Sequence, residues 1–324
     1  MSPKKSDALI IKIKRGILFV FGLSFFLLPG QNFYLTINTS YQKPQTRSLN
    51  FPLSLVAPYP IESKNIKPPP LTAHSFVVLD RDSSVLIYGR NENLRLLPAS
   101  TVKIMTALVS LDYYKLSDVL TVGKLEVNGE TIKLVEGEKM TVENLLYGLL
   151  VASGNDAALV LAQNYPGGQI NFVQAMNQKA QDLNLTHTYF ANPTGLDSNK
   201  EGKILTDFSY TTALDLARLA AFALKNENFL RFVSTTNITI SDIQGKIFHK
   251  LDNVNELLGK FSGVKGVKTG WTEEAGECLV GYTERDNHGL ITVIMGSQDR
   301  FGETTKLVNW VFGNFQWQEI NPSI

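Results

Sequence analysis

The chain of 324 residues has one cysteine, four histidines and no excess of either charge, with 31 Lys and Arg against 30 Asp and Glu. Each scarcity removes a class of protein. A single thiol, Cys278, can build neither an intramolecular disulfide framework nor a thiolate metal cluster. It does not fix the compartment, because many extracytoplasmic proteins carry no disulfide. A net charge of +1 argues against a nucleic-acid partner, which would need clustered Lys and Arg to neutralise phosphates. His74, His187, His249 and His288 are scattered and form no H-E-x-x-H pair, so a zinc hydrolase has no first ligands. The G-x-S-x-G elbow of the common Ser-His-Asp hydrolases is also missing. What remains is the composition of an ordinary folded protein, 44% hydrophobic and too apolar for disorder.

Three compositional zones follow one another. Lys4, Lys5, Lys12, Lys14 and Arg15 precede the apolar run Ile17 to Leu28, and no charge appears from Gly16 to Gln42. This reads as an export segment, either a cleaved signal peptide or an anchor with the ~20 residues that a spanning helix needs. No A-x-A-like site follows Pro29 and Gly30, which favours an uncleaved anchor over residues 1–39. Its basic flank would stay cytoplasmic and the rest of the chain outside. Residues 40–71 hold seven of the thirteen prolines and read as a semi-rigid spacer. Residues 72–318 then read as one globular unit.

Within that unit, Ser75 to Leu79 and Ser84 to Tyr88 flank the turn signal Asp80-Arg-Asp-Ser and predict a β-hairpin. Helical periodicity spans 101–114, 141–150, 156–164 and 212–224, with a last helix over 303–315. Strands are expected at 278–283 and 290–295, around the turn-prone Arg285-Asp-Asn-His-Gly. Strands at both ends of a helical middle predict an α+β fold. Its antiparallel sheet is built from both ends of the domain and flanked by helices, with a mostly helical sub-lobe. Cys278 is expected to be a small buried strand residue.

A serine can be activated by a lysine one helical turn away, since positions i and i+3 share a face. The S-x-x-K pattern occurs at Ser2/Lys5, Ser40/Lys43, Ser100/Lys103 and Ser262/Lys265, against about one match expected by chance. Only Ser100 opens an amphipathic helix, behind Pro98, where free N–H groups and the helix dipole favour a developing oxyanion. Taken alone, Ser100 reads equally well as an N-cap. Ser153-Gly-Asn155 lies in a short break between helices, and Lys268-Thr-Gly270 is the only K-T-G, a tripeptide expected in about one of 20 such chains. Each fragment also has a bland role, as helix caps for Ser153 and Asn155 and as a solvated strand end for Lys268. Their occurrence together, in this order, points to chemistry.

S-x-x-K, S-x-N and K-T-G in that order resemble the penicillin-recognising serine enzymes. The surrounding stretches are Leu97-Pro-Ala-Ser-Thr-Val-Lys, Val151-Ala-Ser-Gly-Asn-Asp-Ala-Ala, Asn192-Pro-Thr-Gly-Leu and Gly266-Val-Lys-Thr-Gly-Trp-Thr-Glu-Glu-Ala-Gly. Over about residues 72–315 these are similar to the D-alanyl-D-alanine carboxypeptidases among the low-molecular-mass penicillin-binding proteins. The resemblance implies a β-lactamase/transpeptidase-like fold and a serine peptidase that needs no cofactor and no metal. In it, Ser100 is the nucleophile and Lys103 its base, neutral through burial and the neighbouring Lys268. Ser153 relays the proton to the leaving amine, and Asn155 holds the substrate amide or Lys103. Backbone N–H groups of Ser100 and Trp271 form the oxyanion hole, while Lys268, Thr269, Gly270 and Arg300 bind the substrate's terminal carboxylate. The implied partners are peptidoglycan stem peptides ending in D-Ala-D-Ala, β-lactams as covalent inhibitors, and the bacterial cell membrane, at its extracytoplasmic face. A D,D-endopeptidase and an inert wall-binding module stand as alternatives. A class A β-lactamase would need E-x-x-L-N before K-T-G, and Ala180 precedes Leu183-Asn184 where the glutamate belongs. Members of the family often carry a further β-rich domain and a C-terminal amphipathic anchor. Only about 50 residues follow K-T-G here, and the N-terminal segment is expected to take that anchor's place.

Overall fold

The computed structural model describes residues 57–196 and 208–319, with Arg15 besides. The chain divides into two compact units, Met1–Leu55 and Val56–Ile324. The expected export segment and the S-x-x-K matches at Ser2 and Ser40 lie outside the described residues. No described helix is long and apolar enough to cross a membrane.

In chain order the strands are β1 (Tyr59–Glu62), β2 (Ser75–Asp80), β3 (Leu86–Arg90), β4 (Val119–Thr121), β5 (Lys139–Thr141), β6 (Asn237–Ser241), β7 (Phe248–Asp252), β8 (Val264–Thr272), β9 (Gly276–Arg285), β10 (His288–Ser297) and β11 (Phe315–Gln318). The helices are α1 (Lys103–Tyr113), α2 (Val142–Leu150), α3 (Asn155–Gln163), α4 (Gly168–Asp182), α5 (Ala213–Ala223), α6 (Glu227–Val233) and α7 (Arg300–Asn314). An antiparallel sheet in the order β3-β2-β10-β9-β8 joins the first strands of the unit to the last, as the sequence pattern predicts.

Both faces of this sheet are covered, which explains strands that read as unbroken apolar runs. Val77, Leu79, Val280, Tyr282, Ile291 and Val293 point into the large core shared with the helical lobe. The alternate residues Phe76, Val78, Leu279, Leu290 and Ile294 pack with Leu307 and Val311 of α7. Within the lobe, α1 is buried at every position from Lys103 to Ser110, as expected of a helix surrounded by others. Thr141, Thr212 and Asn226 cap α2, α5 and α6 by accepting from backbone N–H groups of the first turn. Helix α4 is absent from the sequence reading because it buries only Phe172, Met176 and Ala180, one residue per turn. The β6–β7 hairpin is also unanticipated. It carries His249, whose Nδ1 lies 2.8 Å from Ile132 O and whose Nε2 lies 2.7 Å from Glu138 Oε1. That contact ties down the long loop between β4 and β5.

The domain boundary at residue 72 needs correction. Strand β1 pairs antiparallel with β11, and the buried Asn314 clamps the following turn. Its Oδ1 accepts from Ile66 N at 2.9 Å, its Nδ2 donates to Glu62 Oε1 at 2.8 Å, and its carbonyl accepts from Ser63 N at 2.8 Å. Trp310 Nε1 donates to Ile66 O at 2.7 Å. The described part of the Pro-rich stretch, from residue 57, is docked on the domain. Proline is tolerated in β1 because a two-stranded ribbon leaves one edge of the strand unpaired. Further on, buried Glu303 of α7 accepts from Thr72 N, Ala73 N and Ser297 Oγ.

Asn314→Ala removes two side-chain hydrogen bonds and strands the Ile66 N–H. The expected loss is about 1–3 kcal/mol, read as a lower urea midpoint with an unchanged m-value. An unchanged midpoint would show that the Asn314 side chain adds nothing to stability.

Candidate active site

Ser100 lies in a 3-10 turn, Ala99–Val102, and the α-helix proper begins only at Lys103. The turn is tightened at Pro98, whose carbonyl accepts from Thr101 N at 3.2 Å and Thr101 Oγ1 at 2.7 Å. With about three residues per 3-10 turn, Ser100 and Lys103 share one face. Lys103 Nζ lies 2.8 Å from Ser100 Oγ and donates to Thr194 O at 2.8 Å. Asn192 Oδ1 accepts from Thr194 N, Thr194 Oγ1 and Gly195 N, fixing the turn that presents this carbonyl.

Two glycines allow the nucleophile turn to be enclosed. A Cβ on Gly270 would lie 3.0 Å from both Ala99 Cβ and Ser100 N. One on Gly195, at φ +81°, would lie 2.0 Å from Ala99 O. Strand β8 and the Asn192–Leu196 turn therefore approach Ser100 more closely than any side chain permits.

Ser153 sits at φ +59° in the break between α2 and α3, and its Oγ accepts from Lys268 Nζ at 2.9 Å. Lys268 also donates to Thr269 O at 2.9 Å. The K-T-G triplet is thus the middle of a buried strand and not a solvated strand end. Asn155 begins α3. Its backbone N donates to Glu130 O at 2.8 Å and its Nδ2 to Asn128 O at 2.8 Å, while its buried Oδ1 has no partner among the described residues. Of the two expected tasks for Asn155, holding Lys103 is not realised, since Lys103 is held by Ser100 and Thr194. Asp156 secures the same loop by accepting from Ile132 N and Leu134 N.

Lys103 and Lys268 are 0% and 1% exposed. Burial, and after it the charge of Lys268, holds the Lys103 amine well below the usual lysine range, with Asp156 and Glu130 opposing. Burial, followed by the charge of Arg300, brings Lys268 down to about 7, again against Glu130. Burial and the charge of Lys268 both favour the uncharged form of the amine beside Ser100.

Arg300 opens α7. Its backbone N donates to Glu277 Oε2 at 2.8 Å and its Nη1 to Gly270 O at 3.0 Å, so it faces the site and not bulk solvent. Ser100, Ser153, Asn155, Thr269, Gly270, Trp271 and Arg300 line one cleft of about 490 Å³. Lys265 pairs instead with Glu284 at 2.7 Å, which removes the Ser262/Lys265 match from consideration. Cys278 is buried in β9 across from Gly270, as expected. The sequence reading assigned no role to the Thr194 carbonyl, Asp156 or Glu130. A backbone carbonyl leaves no side-chain signature, and Glu130 lies in a loop without periodicity.

A serine–lysine pair set between an antiparallel sheet and a helical lobe, faced by S-x-N and K-T-G, defines the class of penicillin-recognising serine proteins. The profile of the D-alanyl-D-alanine carboxypeptidase family matches residues 62–299, and the chain belongs to that family. It is 36% identical over 254 residues to the D-alanyl-D-alanine carboxypeptidase DacF of Bacillus subtilis, covering 75% of this chain and 63% of that one. To a D-alanyl-D-alanine endopeptidase of Pseudomonas aeruginosa it is 32% identical over 249 residues, covering 74% of this chain and 77% of that one. The crystal structure of the Streptomyces K15 DD-transpeptidase matches with a TM-score of 0.70 at 30% identity, over 76% of this chain and 100% of that one. The chain spans less than two thirds of the length of several curated relatives, the Bacillus protein among them.

Because Lys268 binds its proton less tightly when folded than when unfolded, the unfolded chain carries more protons between about pH 7 and the ordinary lysine value. Stability due to this residue therefore rises with pH across that window. Lys268→Met is expected to be more stable than the natural protein at pH 6, with the advantage shrinking steadily towards pH 10. Urea titrations at several pH values check this, and a pH-independent difference would contradict it.

Proposed function

We propose that the protein is a serine D-Ala-D-Ala carboxypeptidase that removes the terminal D-alanine from peptidoglycan stem peptides. The observation that carries this reading is the buried Lys103 amine, its proton affinity lowered by burial, 2.8 Å from Ser100 Oγ, with Ser100 in one cleft with Thr269 and Arg300. Keeping a lysine neutral near pH 7 costs about 4–5 kcal/mol in water, and burial followed by the charge of Lys268 acts in that direction.

Ser100 passes its hydroxyl proton to Lys103 Nζ and attacks the carbonyl between the two terminal D-alanines. Backbone N–H groups of Ser100 and Trp271 take the developing oxyanion. The C–N bond breaks as the leaving amine receives a proton by way of Ser153, and D-alanine departs. Water, deprotonated by the same Lys103 amine, then releases the acyl chain and restores Ser100. The orphaned Asn155 Oδ1 accepts the substrate amide N–H. Lys268, the Thr269 hydroxyl and Arg300 receive the terminal carboxylate, with Gly270 giving the strand its close approach. β-Lactams acylate Ser100 by the same route. The N-terminal segment tethers the domain to the outer face of the bacterial cell membrane.

A D,D-endopeptidase is the second reading, favoured by the 32% identity to the Pseudomonas protein of that name. A pentapeptide stem and a cross-linked dimer, offered to the full chain, separate the two. Free D-alanine from the pentapeptide is expected, and cleavage of the dimer alone would establish the second reading. Stoichiometric labelling by a fluorescent penicillin is expected to vanish in Ser100→Ala and to slow about 100- to 10,000-fold in Lys103→Ala. A folded but unlabelled natural protein would mark an inert wall-binding module. Arg300→Ala is expected to raise KM for substrates with a free carboxylate, and an unchanged KM would exclude Arg300 from binding that carboxylate.

A further inference from the structure

The loop 122–138 between β4 and β5 forms one wall of the cleft, to which it brings Asn128, Gly129 and Glu130. It contains neither helix nor strand, so its position has to come from contacts with other elements. Two of its carbonyls orient Asn155. The backbone N of Asn155 donates to Glu130 O and its Nδ2 to Asn128 O, each at 2.8 Å. A carbonyl only accepts, so Asn128 O keeps the amide nitrogen turned to the loop and leaves Oδ1 as the open end. Gly129, at φ +74°, permits this approach, since a Cβ there would lie 3.0 Å from Asn155 Nδ2.

Ile132 is the residue by which the loop is held. Its N–H donates to the Asp156 carboxylate at 3.0 Å. Its side chain is seated on two glycines, for a Cβ on Gly148 would lie 2.5 Å from Ile132 Cδ1 and one on Gly154 3.1 Å from its Cγ2. The third hold is on the carbonyl and comes from His249, whose Nδ1 lies 2.8 Å from Ile132 O. That oxygen only accepts, so Nδ1 carries a proton and donates it. On the other side of the ring, Nε2 lies 2.7 Å from Glu138 Oε1, and Glu138 Oε2 accepts from Val135 N at 3.0 Å. One imidazole thus ties the middle of the loop to its end. His249 is buried, belongs to β7 and is not among the residues that line the cleft. Its hairpin is fixed in turn, by Asn144 Nδ2 donating to Ser241 O and Ile243 N donating to Lys139 O, both at 2.9 Å.

We propose that His249 is a positioning residue for the acylation of Ser100. Together with Glu138 it holds Ile132, so that Asn128 O and Glu130 O keep the Asn155 amide in the one orientation that offers Oδ1 to a substrate N–H. The proposal rests on the carboxypeptidase reading for the task of Asn155. Without the imidazole, Ile132 O loses this donor and the Asn128 carbonyl is no longer held in register. The Asn155 amide can then turn its nitrogen outwards and set a donor against a donor. The resulting loss passes through Asn155 alone.

The test is a double-mutant cycle on the full chain, comparing His249→Ala, Asn155→Ala and the double variant. The measurement is kcat/KM for D-alanine release from acetyl-L-lysyl-D-alanyl-D-alanine, with competent molecules counted by stoichiometric labelling with fluorescent penicillin. His249→Ala is expected to lower kcat/KM about 10-fold, and the double variant to stay within about threefold of Asn155→Ala, because residues acting on one contact are not additive. A merely structural role for His249 would instead multiply with the loss at Asn155. A loss of less than about threefold in His249→Ala, or a double variant more than about threefold below Asn155→Ala, therefore overturns the proposal. Should His249→Ala fail to fold, His249→Gln, which keeps an N–H donor, takes its place under the same criteria. If the natural protein releases no D-alanine, the function proposed above fails, and the cycle is read from the rate of acylation by penicillin, which also carries a side-chain amide. Multiplied losses there overturn the positioning role, and a natural protein that is not labelled at all overturns both readings.

Discussion

Two lysine side chains are buried against the serines that line one cleft, and most of the surrounding structure follows from making that tolerable. Burying an ammonium group is costly unless it is solvated by protein or gives up its proton. Lys103 is met by Thr194 O and Ser100 Oγ, Lys268 by Thr269 O and Ser153 Oγ, and the affinity of each for its proton is reduced. The same desolvation that opposes the charge favours an uncharged amine beside the Ser100 hydroxyl.

The constraint reaches well beyond the cleft. Ser100, Ser153 and Lys268 come from the nucleophile turn, an interhelical break and an edge strand, so the sheet and the lobe must meet without slack. Gly195 and Gly270 remove the side chains that would hold them apart. Helix α1 carries Lys103 through the middle of the lobe with no solvent-facing side along its first two turns. Behind the sheet, Glu303 and Asn314 of α7 tie its far face to the chain entering the domain.

Much of this was legible in the residue order. Alternation and turn signals mark β2, β3, β9 and β10, because a strand covered on both faces must be apolar throughout. The three motifs mark Ser100, Lys103, Ser153 and Lys268, because activation of a serine by a lysine needs those side chains at short spacings. Where few residues per turn are buried, as in α4, or where prolines dock on a ribbon edge, as in β1, composition and period carry too little signal.

By itself, then, the sequence determined the α+β class, the sheet assembled from both ends of the domain and the three motifs whose side chains meet beside Ser100. These rest on local periodicity and on chemistry specific to residue type. Only the tertiary structure decided that K-T-G is the middle of a buried strand, that Asn155 leaves one acceptor open instead of gripping Lys103, and that His249 meets Ile132 and Glu138. Burial, hydrogen-bond partners and the fields of distant charges belong to the packed arrangement, and residues more than a hundred positions apart acquire them only once the sheet has closed against the lobe.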